Sequence, residues 1–210
     1  MSNGTRYELT STQHSAGSAG AAGAFAMSPP TALSPEEREH LVQLLKESQA
    51  GFLELLTGLS DAQFAAPAAG SGWSVQQIAE HVVLGEALLL AKVEEALAGP
   101  PHPDWQAQDA RKTRFLERAL PDRSHKAIAP EPIQPHHHWT RTETMARYRQ
   151  ARDRTLALVE KLDQPVKDRT AEHPFPIFNT LNAYHWLLYI PLHNQRHNQQ
   201  IAEIVKGARA

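Results

Sequence analysis

Four stretches of this chain bring a large apolar residue back every three or four positions, and none alternates apolar with polar residues for long enough to make a strand. That period gathers the apolar groups of each stretch on one side of a helix. Helices with one such side bury it against one another, so the pattern predicts an all-α fold, an antiparallel four-helix bundle. Sustained heptads are absent, which argues against a coiled coil.

Local signals set the helix limits. In "SPEE", Ser34 is an N-cap, Pro35 takes the first helical position and Glu37 closes a capping box. The helix runs to about Thr57, with Leu41, Leu44, Leu45, Phe52, Leu55 and Leu56 on one face. Ser60 and Gln63 mark a second, short cap. The next long helix begins at Ser74 and stops at Gly99-Pro100-Pro101; it is apolar on most sides and is expected at the centre. Prolines punctuate residues 100–139, which leave room for a short helix over about Gln106–Leu120 and an irregular connection, "APEPIQPHHHW". A third long helix over about Thr142–Leu162 presents Met145, Tyr148, Thr155, Leu156, Val159 and Leu162, with Arg152 in the same register. The fourth covers about Thr180–Lys206.

These elements form one domain, residues 32–210. Residues 1–31 are rich in Ser, Gly and Ala and carry too little apolar surface to offset the entropy of ordering, so a disordered tail is expected there, with Met27 an alternative start.

Twenty-one basic residues against 23 acidic ones give a net charge of −2 with no long block of either sign, which argues against nucleic acid as a main partner. No apolar run reaches the length of a membrane span and the N-terminus lacks the blocks of a secretory signal, so a cytoplasmic protein is expected. With no cysteine, thiolate metal sites, disulfide chemistry and a cysteine nucleophile are all excluded. Nor is there a serine, threonine or lysine in a nucleophile motif, a phosphate loop or a dinucleotide fingerprint. No side chain is therefore assigned a catalytic role at this point.

The remaining chemistry lies in histidine. "PLHNQRHNQQIAEI" places His193 and His197 four positions apart, about 40° in direction and about 6 Å along a helix axis, close enough to close on one ion. Trp186, Ile190, Ile201 and Ile204 share that face, so both imidazoles point inward, where each needs a hydrogen bond or a ligand. The spacing alone is equally compatible with core or surface histidines. It is not the zinc-protease pattern, because Asn194 stands at the glutamate position. A further histidine, His81, lies among Ile78, Val82, Leu84 and Leu88, and a bundle can bring it against the fourth helix. The dense run His136, His137, His138 reads as a solvated connection near a pocket mouth. His173 and His185 have no partner at ligand spacing and read as core or rim residues.

The order Trp73, Ser74, His81, Glu86, then the proline-rich "DRSHKAIAPEP", then His193, Arg196, His197, Gln200 and Ile201 resembles the DinB/YfiT-like superfamily over residues 36–206. That resemblance implies a four-helix bundle in which His81, His193 and His197 hold one divalent metal. Zinc fits best on general grounds, with nickel, manganese, iron and cobalt as alternatives. Three neutral imidazoles leave positions open, the arrangement of reaction centres. The implied function is a metal-dependent enzyme, a hydrolase or a transferase using a low-molecular-weight thiol; the alternative is a non-enzymatic metal-binding or stress-associated bundle. A metal-free association bundle is a third possibility. The partner expected is a small molecule, with a thiol supplied as cosubstrate since the chain has none, and broadly apolar helices leave surface for a homodimer.

Three more residues are candidates for substrate binding or for support of the ligands. Gln200 lies on the His197 face and could orient a ligand or water. Arg196, about 60° from His193, braces the rim or is exposed. Arg152 receives an anionic substrate, pairs with a buried acid such as Glu86, or snorkels to the surface. Glu86 points away from His81 and suits an ion pair or a solvated charge. Pro191 removes the hydrogen bond to the Leu187 carbonyl and is expected to kink the helix just before His193.

Overall fold

The computed structural model describes residues 31–67, 72–124 and 128–207. The expected tail and Met27 lie outside them, apart from Thr31, whose carbonyl already accepts from the N–H groups of Val166 and Lys167. The four long helices are α1 (Pro35–Thr57), α3 (Val75–Ala98), α5 (Arg141–Lys161) and α6 (Ala183–Gly207). Between them lie short α2 (Asp61–Ala65), α4 (Trp105–Ala119), a 3-10 turn at Glu131–Ile133 and a hairpin of β1 (Thr170–Glu172) and β2 (Thr180–Asn182). Reciprocal capping boxes start α1 at Ser34 and Glu37, α2 at Ser60 and Gln63, α3 at Ser74 and Gln77, and α5 at Thr140 and Glu143.

The core is two apolar clusters. One joins the start of α1 and α6 to the ends of α3 and α5 through Leu41, Leu45, Val93, Val159 and Leu187. The other joins the end of α1 to the start of α3 and α5 and the end of α6 through Phe52, Leu56, Ile78, Tyr148 and Ile201. Hence α1 and α6 run one way, and α3 and α5 the other. The principal packing pairs are α3 with α6, α1 with α6, α1 with α5 and α3 with α5. Two of these pairs are antiparallel and two are parallel neighbours. The parallel pair α3 and α5 needs a return over the full bundle length, and residues 99–140 make it, with α4 packed on α6 along the way.

Between the clusters lies a buried polar layer. Arg152, wholly buried, donates to both oxygens of Glu86, Nε to Oε1 at 2.8 Å and Nη2 to Oε2 at 3.0 Å. Its other donors reach the Leu45 carbonyl, Ser48 Oγ at 2.9 Å and Asn194 Oδ1 at 3.2 Å. Thr155 donates to Glu86 at 2.9 Å, and the Tyr148 hydroxyl to Asn194 Oδ1 at 2.6 Å. All five guanidinium N–H groups are engaged, as a buried arginine requires. Of the roles open to Arg152, the pair with Glu86 is the one found: nothing is left to receive a substrate anion, and the side chain does not snorkel.

One element departs from the sequence expectation. Residues 180–182 are strand, paired antiparallel with β1 in the register Thr170 to Asn182, Ala171 to Leu181 and Glu172 to Thr180. The helix begins only at Ala183 because Asn182 caps it, its Oδ1 accepting from the His185 N–H at 2.8 Å. A three-residue strand has no room to show an alternating pattern, and its partner sets it. Helix α6 continues through Pro191.

Candidate metal centre

His81 on α3 and His193 and His197 on α6 meet in the groove between those two helices. His193 Nε2 lies 3.2 Å from His81 Nε2 and 3.1 Å from His197 Nε2. A donor atom from each of the three lies within 4.8 Å of the others. His81 and His197 are buried and His193 is half-buried.

The outer nitrogens decide the protonation pattern. His81 Nδ1 is 2.8 Å from the carbonyl of Ile133, which can only accept, so the ring proton sits on Nδ1. His197 Nδ1 is 2.9 Å from Gln200 Oε1, with the same result. Both inner Nε2 atoms are therefore lone pairs. His193 can place a proton toward one of them, so at least one pair of nitrogens meets with no proton between. A cation removes that conflict. Ligand nitrogens about 2.0–2.1 Å from a tetrahedral ion stand about 3.3 Å apart, close to the separations found.

Electrostatics keep the three imidazoles neutral. Burial, first, and then the neighbouring imidazoles and Arg196 hold His193 well below the usual histidine range. Burial, with the charges of His81 and of Arg196 and Arg123 behind it, brings His197 down to about 3 despite the bond to Gln200. Burial also lowers His81. Neutral imidazole is the form that binds a metal.

The sequence did not single out two of the residues that position this cluster, Glu80 and Gly85. Glu80, beside His81 and almost fully buried, takes the backbone N–H groups of His136 at 2.5 Å and His137 at 2.6 Å on one oxygen and that of His138 at 3.0 Å on the other. It thereby ties down the segment whose Ile133 carbonyl aims His81. A charge inside the apolar run "IAEHVVL" was the available signal. His138 adopts a left-handed backbone, φ 53°, to complete this wrap. Gly85 faces His193 so closely that a Cβ there would lie 3.0 Å from the ring Cε1. Trp73 packs on His81 with ring centroids 5.0 Å apart.

The other candidates are placed as follows. Gln200 orients His197. Arg196 donates to the carbonyls of Leu120, at 3.5 Å, and Asp122, fastening the crossover to α6 one residue before His197. Glu86 lies in the polar layer with Arg152. The side chains of His136 and His137 are exposed and within 4.8 Å of a Glu80 oxygen. His185 is buried and hydrogen-bonded, and His173 is half-buried, stacked on Trp186 at 5.0 Å and Tyr189 at 5.4 Å.

A family profile described as the DinB superfamily matches residues 44–201, three quarters of the chain and all three histidines. This chain is a member of the DinB superfamily. The DinB match is joined by YuaE of Bacillus subtilis (strain 168), an uncharacterized protein 25% identical over 150 residues, which span 71% of this chain and 87% of YuaE. In fold it is similar to YfiT from Bacillus subtilis, with a TM-score of 0.57 at 18% identity, covering 87% of this chain and 93% of that one. YfiT is described as "a probable metal-dependent hydrolase with an unusual four-helix bundle topology". The DinB bundle of this chain joins its parallel neighbours α3 and α5 through the long connection over residues 99–140. Among the described residues, no helix is long and apolar enough to cross a membrane.

Proposed function

We propose that His81, His193 and His197 hold one divalent ion and that the protein is a metal-dependent hydrolase. The observation that carries this reading is that His193 Nε2 lies 3.2 Å from His81 Nε2 and 3.1 Å from His197 Nε2, with too few protons to satisfy all three. Zinc suits three neutral nitrogens best; nickel, iron and cobalt also accept imidazole, and manganese, which favours oxygen ligands, fits least well. When bound, such an ion supplies a Lewis acid and lowers the pKa of water it holds. The chain's own residues aim and shield. The Ile133 carbonyl and Gln200 fix the tautomers of His81 and His197, and Glu80 secures the segment carrying Ile133. Arg196 keeps the crossover against the rim of the site. The likeness to YfiT supports hydrolysis as the reaction class.

Transfer of a low-molecular-weight thiol is the second reading, favoured by how fully the acids of α3 nearest His81 are engaged. Glu80 accepts three backbone N–H groups and Glu86 accepts from Arg152 and Thr155, so neither stands ready to take a proton from a weak nucleophile. A thiol, with a pKa of about 8.5, needs less help than water or an alcohol. The chain has no cysteine, so that thiol comes from a cosubstrate.

The test is metal content by elemental mass spectrometry on untagged protein purified without chelator, beside a variant with His81, His193 and His197 all changed to alanine. About one divalent ion per chain is expected in the wild type and none in the variant. Turnover of ester or amide panels by the loaded protein then supports hydrolysis, and thiol-dependent turnover supports transfer. Loaded protein inert in both would leave the non-enzymatic metal-binding reading. No metal in either protein after reconstitution with zinc, nickel and manganese would overturn the site itself.

A further inference from the structure

A cavity of about 200 Å³ lies between the first half of α4, the hairpin and the start of α6. It takes His185 from α6, eight residues and about 12 Å of helix before His193, so it is separate from the histidine cluster. Its lining carries two lysines, Lys112 and Lys167, and no carboxylate.

The two lysines differ. Lys167 shares its charge with Glu37 at 2.7 Å. Lys112 has no carboxylate within ion-pair distance among the described residues. Its ammonium rests on the carbonyls of Thr180 and Phe178, the latter at 3.4 Å, which uses two of three donors. Burial, and then the charge of Arg111, make its protonated form harder to keep. A half-buried cation without a counter-ion gains from an anion.

Other donors border the same space. His102 Nδ1 accepts from the Asp104 N–H at 3.2 Å, so the ring proton is on Nε2. The side-chain amides of Gln108 and Asn179 have no hydrogen-bond partner among the described residues. Asp109, on the same helix, directs its carboxylate to Asn182 Nδ2 at 2.9 Å and toward His185 at 3.4 Å.

We infer that this cavity binds a small anion bearing a carboxylate or phosphate group, with Lys112 as its charge partner. The site stands independently of the metal reading.

Titration of the full chain with inorganic phosphate, and separately with acetate, against chloride at equal ionic strength, tests it by amide and indole NMR signals of Trp105 and Lys112. Saturable shifts are expected for at least one probe, and which probe saturates identifies the headgroup. Lys112→Met removes the cation. Gln108→Glu puts a negative charge in the lining without removing any hydrogen bond recorded for the fold, so it remains informative if Lys112→Met misfolds. Each is expected to weaken binding at least about tenfold, while the triple histidine variant binds as the wild type does. Shifts that fail to saturate with both probes, affinity unchanged in Gln108→Glu, or binding lost in the triple variant would each overturn the inference.

Discussion

Replacing Arg152 by Met strands the Glu86 carboxylate inside the bundle. Glu86 then keeps one donor, Thr155 at 2.9 Å, of the three it has now. Breaking a buried pair by removing one partner costs about 3–5 kcal/mol, a large share of the about 5–15 kcal/mol that holds a domain folded. Glu86→Leu leaves the guanidinium with the Leu45 carbonyl, Ser48 and Asn194 but no counter-charge, at a similar cost of about 3–5 kcal/mol. The double variant removes both charges at once. Tyr148 still donates to Asn194, at 2.6 Å, and Ser48 to the Leu45 carbonyl, at 3.1 Å, so few groups are newly orphaned. Its expected cost is about 1–2 kcal/mol. The single costs sum to about 6–10 kcal/mol, so the cycle predicts a coupling of about 4 kcal/mol or more. Urea unfolding followed by far-ultraviolet circular dichroism measures all four proteins, with equal m-values as the check on two-state behaviour. A double variant as unstable as the sum of the singles, within about 0.5 kcal/mol, would refute the account of this layer.

Gly85→Ala should leave the helix as stable or firmer, since Ala is favoured over Gly by about 1 kcal/mol, yet weaken metal affinity at least about tenfold by displacing the His193 ring. Competition with a chelating indicator measures it, and an unchanged affinity would mean that the ring yields freely. Glu80→Gln keeps the shape but turns an amide N–H toward backbone donors. It is expected to cost about 2–3 kcal/mol and to speed hydrogen exchange at His136, His137 and His138, whereas unaltered protection there would refute the anchoring role. Burial holds His185 at about 4, below the ordinary 6.5, against the bond to the Asp109 carbonyl and with help from Lys112. The unfolded chain therefore takes up a proton at 6.5 that the folded one refuses. The stability due to this group is complete above pH 6.5 and is lost as the pH falls toward about 4. In His185→Gln the slope of stability with pH over that window should be shallower, and an equal slope in the metal-free proteins would contradict the assignment.

Local rules sufficed for most of the fold. Ser34, Ser60 and Ser74 mark helix starts with their own side chains, and Gly99 with two following prolines marks an end, so these boundaries can be read within a few residues of the chain. The start of α6 could not, because Thr180, Leu181 and Asn182 become strand only by pairing with Glu172, Ala171 and Thr170. The three clustered histidines were legible for a mixed reason. His193 and His197 share a helix face by arithmetic, but His81 is 112 residues from His193, and only the family resemblance linked them.

Capping and periodicity act over three or four residues, so they encode most helix limits, the faces the helices bury and the side-chain chemistries available, though not the start of α6. Tertiary structure alone decided direction and partnership. It laid α3 parallel to α5 by a long crossover, enclosed Arg152 against Glu86, and turned Glu80 onto the backbone of a segment more than fifty residues away. Those outcomes depend on which buried charge finds donors when distant segments meet, and no local pattern encodes that meeting.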